Sequence, residues 1–333
     1  MVYADKFKLH ERQKNYKSGT LRSIVFDVTP RCNMNCSHCS ASTFSKTKPI
    51  ELSKLKKPLT ELYGMGVYHY VLAGGEPITD FSRLESIISM IYPDETYVNV
   101  LSNGWKMNKD VILKLKDMKV DKICYSLDSG IPFEHDLNRR KGSYERVLKA
   151  IDSTLEAGLF ASVATVATPE YLYSDGFKTL FDYAKKKQIR LQIDIAMPVG
   201  KWDANEDILL KKEDSDYLKN LWENSPIISD GKKLITRDIF GEFEQRCRAG
   251  NEGMAISSDG QFLPCNFLQF SLGNIAEKSV KEMYSALSKS EWFNKKNSLC
   301  LAGEDRIFFN KFIKPYKNLP KPLDAWKIFR LKI

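Results

Sequence analysis

The sequence predicts an α/β protein, a parallel sheet with crossover helices, followed by a small α+β domain of one β-hairpin and a helix. Three observations carry this expectation. Six short β-branched, apolar runs alternate with amphipathic stretches between Ser23 and Ala196. The parallel-strand signals then stop in a charged, irregular stretch from Lys201 to Lys233. Beyond it, Asp259-Gly260 is a strong hairpin turn between two short apolar arms.

The first strand is placed at Ser23 to Val28, where apolar and β-branched residues run up to a polar loop. Helical spacing follows from Glu51 to Tyr63, a strand from Val67 to Ala73 and a helix from Phe81 to Ile91. The alternation continues with strands at Tyr97 to Leu101, Lys122 to Leu127, Phe160 to Ala167 and Leu191 to Ala196. Helices at Lys109 to Met118, Tyr144 to Ala157 and Gly176 to Lys187 connect them. Mostly apolar strands imply burial on both faces, and the crossovers are expected to be right-handed. Loops at the C-terminal ends of such strands build the site. A boundary is placed near 235, with hairpin arms Met254 to Ser257 and Gln261 to Leu263 and a helix from Val280 to Ser288. The expected division is an extension over 1–20, the parallel α/β domain over 21–234, the small domain over 235–310 and a tail over 311–333.

At 333 residues, with 43% hydrophobic and 28% charged content, the chain has a soluble composition. No run reaches the length of a membrane helix, and Met1 to Thr20 carries no apolar signal core, so a cytoplasmic protein is expected. Seven cysteines then fit metal chemistry better than disulfides. Much of the +9 charge lies at the end, where seven basic residues from Lys311 to Lys332 face Asp324 alone. That tail interleaves Phe312, Tyr316, Trp326 and Phe329 with its lysines and is expected to pack those rings back onto the body, with an anionic partner or membrane surface as the alternative. No nucleic-acid-binding module is recognisable.

The chemistry concentrates where the first strand ends, in Thr29-Pro30-Arg31-Cys32-Asn33-Met34-Asn35-Cys36-Ser37-His38-Cys39. Thiolates are the ligands that iron–sulfur clusters take from proteins. Three of them at C-x3-C-x2-C spacing wrap one corner of a four-iron cluster and leave one iron open. A structural zinc site would ask for a fourth ligand, usually in a second pair, and none lies in this segment. Further along, Gly74-Gly75-Glu76-Pro77 closes the second strand, with glycines that admit close approach and a carboxylate able to accept from an ammonium. Period-two alternation puts Cys124, Ser126 and Asp128 on one face.

The cysteine motif resembles that of the radical SAM enzymes. The resemblance implies a partial (βα)6 barrel and a [4Fe-4S] cluster held by Cys32, Cys36 and Cys39, whose open iron chelates S-adenosylmethionine. His38 sits where that family commonly has an aromatic. Gly74, Gly75, Glu76 and Pro77 resemble the motif that holds the cofactor's amino group; the alternative is a strand-to-helix turn with a capping glutamate. Ser102-Asn103-Gly104 offers Asn103 at the same edge, Ser126 would meet ribose or carboxylate, and Asp128 would order the site. Arg139 or Arg140 would pair with the methionyl carboxylate, surface ion pairing being the alternative. Met197-Pro198-Val199-Gly200 would approach the adenine or form a plain turn. Cys124, facing inward, would suit a hydrogen-atom donor, although a free cysteine is more often a small buried hydrophobe.

Cys247, twelve residues, Gly260, four residues and Cys265 resemble the SPASM/twitch extension, and the resemblance implies a second [4Fe-4S] cluster with Cys300 as its third thiol. Gly303 lies where twitch domains often have a further cysteine; substrate, water, Glu304 or Asp305 are the expected fourth ligands. The implied activity is reductive cleavage of S-adenosylmethionine to a 5′-deoxyadenosyl radical that abstracts hydrogen from a substrate carbon. A reductant such as flavodoxin or ferredoxin is the implied partner. A peptide or protein maturase is expected, by oxidation, crosslinking, thioether formation or epimerisation. A sugar or aminocyclitol dehydrogenase or epimerase is the alternative, since some twenty residues before the first strand are expected to leave no separate peptide-binding domain. A non-catalytic electron carrier or sensor is the reading from another class, and Gly74 to Glu76 argue against it.

Overall fold

The structure, a computed structural model, describes residues 7–236, 247–294 and 297–332. Parts of the expected N-terminal extension (1–6) and of the expected cluster domain (237–246 and 295–296) lie outside the described residues. A short helix α1 (Phe7–Lys14) precedes β1 (Ser23–Thr29). Then come α2 (Lys56–Gly64), β2 (His69–Gly74), α3 (Phe81–Met90), β3 (Tyr97–Ser102), α4 (Lys109–Asp117) and β4 (Lys122–Ser126). After β4 follow α5 (Pro132–Asn138), α6 (Ser143–Glu156), β5 (Phe160–Ala167), α7 (Asp175–Lys187) and β6 (Arg190–Ile195). The expected helices and strands are present, with α2 starting late because Leu52–Lys54 is a separate tight turn and Pro58 is tolerated only in a first helical turn.

β1 to β6 pair in sequence order and in parallel, as a partial barrel of βα units requires. The sheet does not stop there. After α8 (Lys212–Glu223), β7 (Ile235–Thr236) pairs in parallel with β6. At the other side β8 (Gly253–Ile256) pairs in parallel with β1 and antiparallel with β9 (Phe262–Leu263). The expected boundary near 235 therefore falls inside one nine-stranded sheet, ordered β7-β6-β5-β4-β3-β2-β1-β8-β9. A two-residue strand has no periodicity to read, and pairing of β8 with β1 is made by backbone groups, so neither left a mark in the sequence. The charged stretch after Lys201 likewise hides α8, which is capped by Asp214 accepting from the Lys211 backbone N–H at 2.8 Å and buries Leu218.

The two faces of the sheet differ. Ile24, Phe26, Val98, Val100, Ile123, Tyr125, Leu191 and Ile193 point into the main core beneath the helices. The alternate positions face inward, where only a small apolar cluster (Val25, Phe44, Val71, Ala255 and Leu263) forms. Asn99, Cys124, Ser162 and Gln192 share that inner side and are buried. Apolar strands on both faces were expected; the inner face is buried but largely polar, which suits a cavity that receives a polar ligand.

Beyond the hairpin, β10 (Phe270–Ser271) pairs with β11 (Leu323–Asp324), and α9 (Val280–Ser288) lies against α2 through Glu61, which accepts from the Val280 N–H at 3.2 Å. Phe329 contacts Phe270, Phe293 and Phe312 at 4.9–5.2 Å between centroids, and Trp326 Nε1 donates to Leu272 O at 2.6 Å. The tail packs its rings back onto the body, as expected. No helix among the described residues is long and apolar enough to cross a membrane.

Candidate active site

The cysteine loop leaves β1 and is held by the loop after β2. Gly75 N donates to Thr29 O and Glu76 N to Arg31 O, both at 2.8 Å, so the two loops run alongside each other. A Cβ on Gly75 would lie 2.2 Å from Arg31 O, and one on Gly74, whose φ is +121°, would lie 2.7 Å from Thr29 O. The glycines were read as admitting a ligand; the first thing they admit is the cysteine loop's own backbone.

Glu76 is 1% exposed and turns its carboxylate to β3. Its Oε1 accepts from Ser102 Oγ at 2.8 Å and from Ile78 N at 3.3 Å, and its Oε2 from Asn103 N at 2.7 Å. Burial raises its pKa to about 7 against the lowering effect of these three bonds. Pro77, buried, opens the turn that Glu76 caps. An acid whose folded pKa lies above its unfolded value near 4 is favoured folded at low pH and disfavoured as pH rises to about 7. Cofactor-free wild type is therefore expected to lose roughly 2–3 kcal/mol between pH 5 and pH 8 from this group, and Glu76→Gln to lack that loss. Urea unfolding at the two pH values checks this; equal losses in both proteins would refute it.

The residues around the thiols aim donors at sulfur. Asn103 Nδ2 points to Cys32 Sγ at 3.9 Å and donates to Asn33 Oδ1 at 2.8 Å, while Met34 N lies 3.4 Å from Cys32 Sγ. Arg139 Nη1 approaches Cys36 Sγ at 3.9 Å. Arg139 was expected at the methionyl carboxylate, but here its fork grips Asp128, Nε to Oδ2 and Nη2 to Oδ1, both at 2.7 Å. Burial alone would raise Asp128, yet Arg139 and then His38 hold its pKa down at about 2. His38 Nε2 lies 3.6 Å from Asp128 Oδ2 and 3.3 Å from Arg139 Nη2; burial lowers its pKa. Arg140 is elsewhere, donating to Asn33 O at 3.0 Å and covering the Trp105 ring at 3.8 Å. Ser126 ends β4 half-buried beside Ala164. Cys124 is 1% exposed, with its thiol 3.9 Å from Gln192 Oε1, which fits the buried-thiol alternative.

Three residues that sequence reasoning did not single out complete the site. Lys201 Nζ donates to Asn35 Oδ1 at 2.7 Å and to Cys36 O at 2.5 Å, and its backbone N donates to Cys39 O at 3.1 Å. Trp202 meets the His38 ring at 5.7 Å. Asn33 Nδ2 is buried with no hydrogen-bond partner among the described residues, a donor left for a bound group. Lys201 and Trp202 belong to the loop after β6, which the sequence marked only as far as Gly200.

The second thiol set also assembles. Cys247 and Cys300 are near enough to perturb each other, which lowers the Cys247 pKa and raises that of Cys300, and Cys265 lies within the field of both. Among the described residues no group of three or more His, Cys, Asp or Glu side chains converges tightly enough to hold a single metal ion. Three thiolates on each side suit iron–sulfur clusters, in which each thiolate binds a different iron. N–H donors and a guanidinium directed at Cys32 and Cys36 are the surroundings that anionic sulfur needs.

The comparisons agree with this arrangement. The sequence profile of the radical SAM superfamily matches residues 26–193, and that of the SPASM iron–sulfur cluster-binding domain matches 247–302. The chain is 27% identical over 270 residues to the antilisterial bacteriocin subtilosin biosynthesis protein AlbA of Bacillus subtilis, covering 79% of this chain but 59% of AlbA. It is 23% identical over 290 residues to the AdoMet-dependent heme synthase of Methanosarcina barkeri, covering 79% of this chain and 82% of that one. Streptococcus suis SuiB bound to its precursor peptide SuiA shares the fold, with a TM-score of 0.65 at 16% identity over 97% of this chain and 79% of SuiB. With a cysteine triad at the end of β1, a glycine-rich loop locked against it and a second triad beside the sheet, the chain belongs to the radical SAM superfamily, takes a [4Fe-4S] cluster and S-adenosylmethionine, and carries an SPASM iron–sulfur domain.

Proposed function

We propose that this protein is a peptide or protein maturase that oxidises or crosslinks its substrate. The bound cofactors supply one-electron cleavage of S-adenosylmethionine, which delivers a radical able to take hydrogen from an unactivated carbon. The chain's own part begins at Cys32, Cys36 and Cys39. Asn103 and Arg139 set the field at their sulfurs, Asp128 fixes Arg139, and Lys201 clamps the loop carrying Cys36 and Cys39.

The observation that carries the reading is the loop after β6. Its Lys201 binds the backbone of the loop that carries the first thiol triad, and its Met197 Sδ lies 3.9 Å from Cys300 Sγ of the second. Two thiol sets joined by one short loop favour a reaction in which the substrate radical loses a further electron, which is oxidation or bond formation rather than simple rearrangement. The inner face keeps one carboxamide, that of Asn99, with no hydrogen-bond partner at either atom among the described residues, which suits a polar substrate. Similarity to AlbA and the fold shared with peptide-bound SuiB support the same substrate class. Similarity to a heme synthase supports the alternative, a small-molecule oxidation.

Incubation of reduced protein with deuterated peptide and small-molecule panels separates the two. Deuterium from a peptide is expected in 5′-deoxyadenosine. Deuterium arriving only from a small molecule would overturn the peptide reading, and intact S-adenosylmethionine under reduction would overturn the enzymatic one.

A further inference from the structure

We propose that the exposed side of α5, next to the loop that carries Cys36, is the docking surface for a small acidic one-electron carrier protein that reduces the first cluster. This surface is independent of which substrate the sheet receives, since the electron is needed before any substrate reacts.

The centre of the surface is apolar. Phe133 and Leu137 are each 73% exposed, the most exposed large apolar side chains among the described residues. They stand four residues apart in α5 and so share one side of it. A pair of large apolar side chains left together in water marks an interaction site. α5 is tied to the cysteine loop at its last residue, where Ser37 N donates to Asn138 O at 3.0 Å. Ser37 lies between Cys36 and His38, and both Ser37 and Asn138 are exposed. The apolar pair therefore adjoins the cluster loop on its solvent side.

The charges around it are of one sign. Arg140, Lys141 and Arg146 are exposed, and none of them pairs with a carboxylate among the described residues. Arg140 and Arg146 both stack on the Trp105 ring, at 3.8 and 4.2 Å, and Arg140 also holds Asn33 O of the cysteine loop at 3.0 Å. Lys201, exposed, grips the same loop at Asn35 and Cys36. The acids of the stretch are turned inward. Glu134 accepts from Ser129 Oγ at 2.6 Å, and Asp136 accepts from Tyr144 N at 2.9 Å and Ser143 Oγ at 3.2 Å. Asp128 is taken by Arg139, which leaves Glu145 as the exposed acid between 128 and 146.

An apolar centre with a charged rim is the anatomy of a protein interface, and electron-transfer complexes use small ones. A basic rim selects an acidic partner and speeds its encounter. A substrate would meet the inner face of the sheet, whereas a carrier must arrive and leave at the outside of the cluster loop in each cycle. One electron leaves the reduced carrier and enters the cluster, which is reduced by one; no atom is transferred.

The test uses full-length reconstituted wild type, Leu137→Glu and Lys141→Glu. Binding to an immobilised bacterial flavodoxin and to an immobilised acidic [4Fe-4S] ferredoxin is measured by surface plasmon resonance. S-Adenosylmethionine cleavage is then compared with each carrier and with dithionite as the electron source. Wild type is expected to bind at least one carrier, more weakly as salt is added. Each variant should bind that carrier about tenfold more weakly. Cleavage driven by the carrier should slow in step, while cleavage driven by dithionite stays at the wild-type rate. Absence of wild-type binding to both carriers, variants that bind as wild type does, or equal slowing with carrier and dithionite would each overturn the proposal. Wild type that cleaves nothing even with dithionite would refute the enzymatic reading, and the binding measurements would still decide the docking surface.

Discussion

A Cys32/Cys36/Cys39 triple alanine variant is expected to keep about half the iron of wild type, near four of eight atoms per chain, and to lose reductive cleavage of S-adenosylmethionine entirely. The two thiol triads lie on different segments, one on the loop after β1 and the other spread over residues 247 to 300, so removing the first leaves the ligands of the second in place. The fold should survive, because Cys32 is exposed, Cys36 and Cys39 are half-buried, and the loop is fixed by Gly75 and Glu76 backbone donors and by Lys201 rather than by the thiols. Iron and sulfide assays with anaerobic turnover check both parts. A variant holding no iron would remove the second cluster, and one that still cleaves the cofactor would sink the assignment of the motif.

Asp128→Asn is expected to destabilise the protein by roughly 3–5 kcal/mol, because it leaves the buried Arg139 guanidinium without its anionic partner. Both side chains are about one-tenth exposed or less, so solvent screens the pair little. The pH dependence has a definite sign. Asp128 is held down at about 2 by Arg139, so its stabilisation is fully present above the unfolded value near 4 and is lost as pH falls through about 2. The gap between wild type and Asp128→Asn should therefore be constant near neutrality, begin to close below about pH 4, and shrink by more than 1 kcal/mol by about pH 3. Urea unfolding from pH 7 to pH 3 measures this. A gap under 1 kcal/mol at pH 7, or one that does not change with acid, would mean that the pair is not the structural unit inferred here. Arg139 also lies against Cys36, so the same variant should shift the spectrum of the first cluster.

The difference between the readings of Arg139 shows where sequence reasoning stopped. Its charge and its place after the fourth strand made it an expected partner for the methionyl carboxylate; the carboxylate it meets in the structure is that of Asp128. Which carboxylate it meets depended on how α5 returns the chain, since Asp128 and Arg139 are eleven residues apart and the short helix between them brings them together. Glu76 is similar: sequence marked it as an acceptor at the active edge, whereas only the parallel stacking of β2 and β3 decided that Ser102 and Asn103 would occupy its oxygens. Lys201 and Trp202 had no signal, because a lysine and a tryptophan after a turn are common on any surface.

By itself the sequence determined the cluster chemistry and the alternation of strands and helices, since thiol spacing and apolar periodicity are properties of a few consecutive residues. The tertiary structure decided the rest: that the sheet continues through β7 on one side and β8 on the other, that the inner face is polar, and that Met197 from the barrel meets Cys300. Those outcomes rest on backbone pairing and on contacts between residues as much as 230 positions apart, such as Ser23 with Gly253. Backbone groups are the same in every residue, so such pairings are chosen by the global packing and leave no local pattern to read.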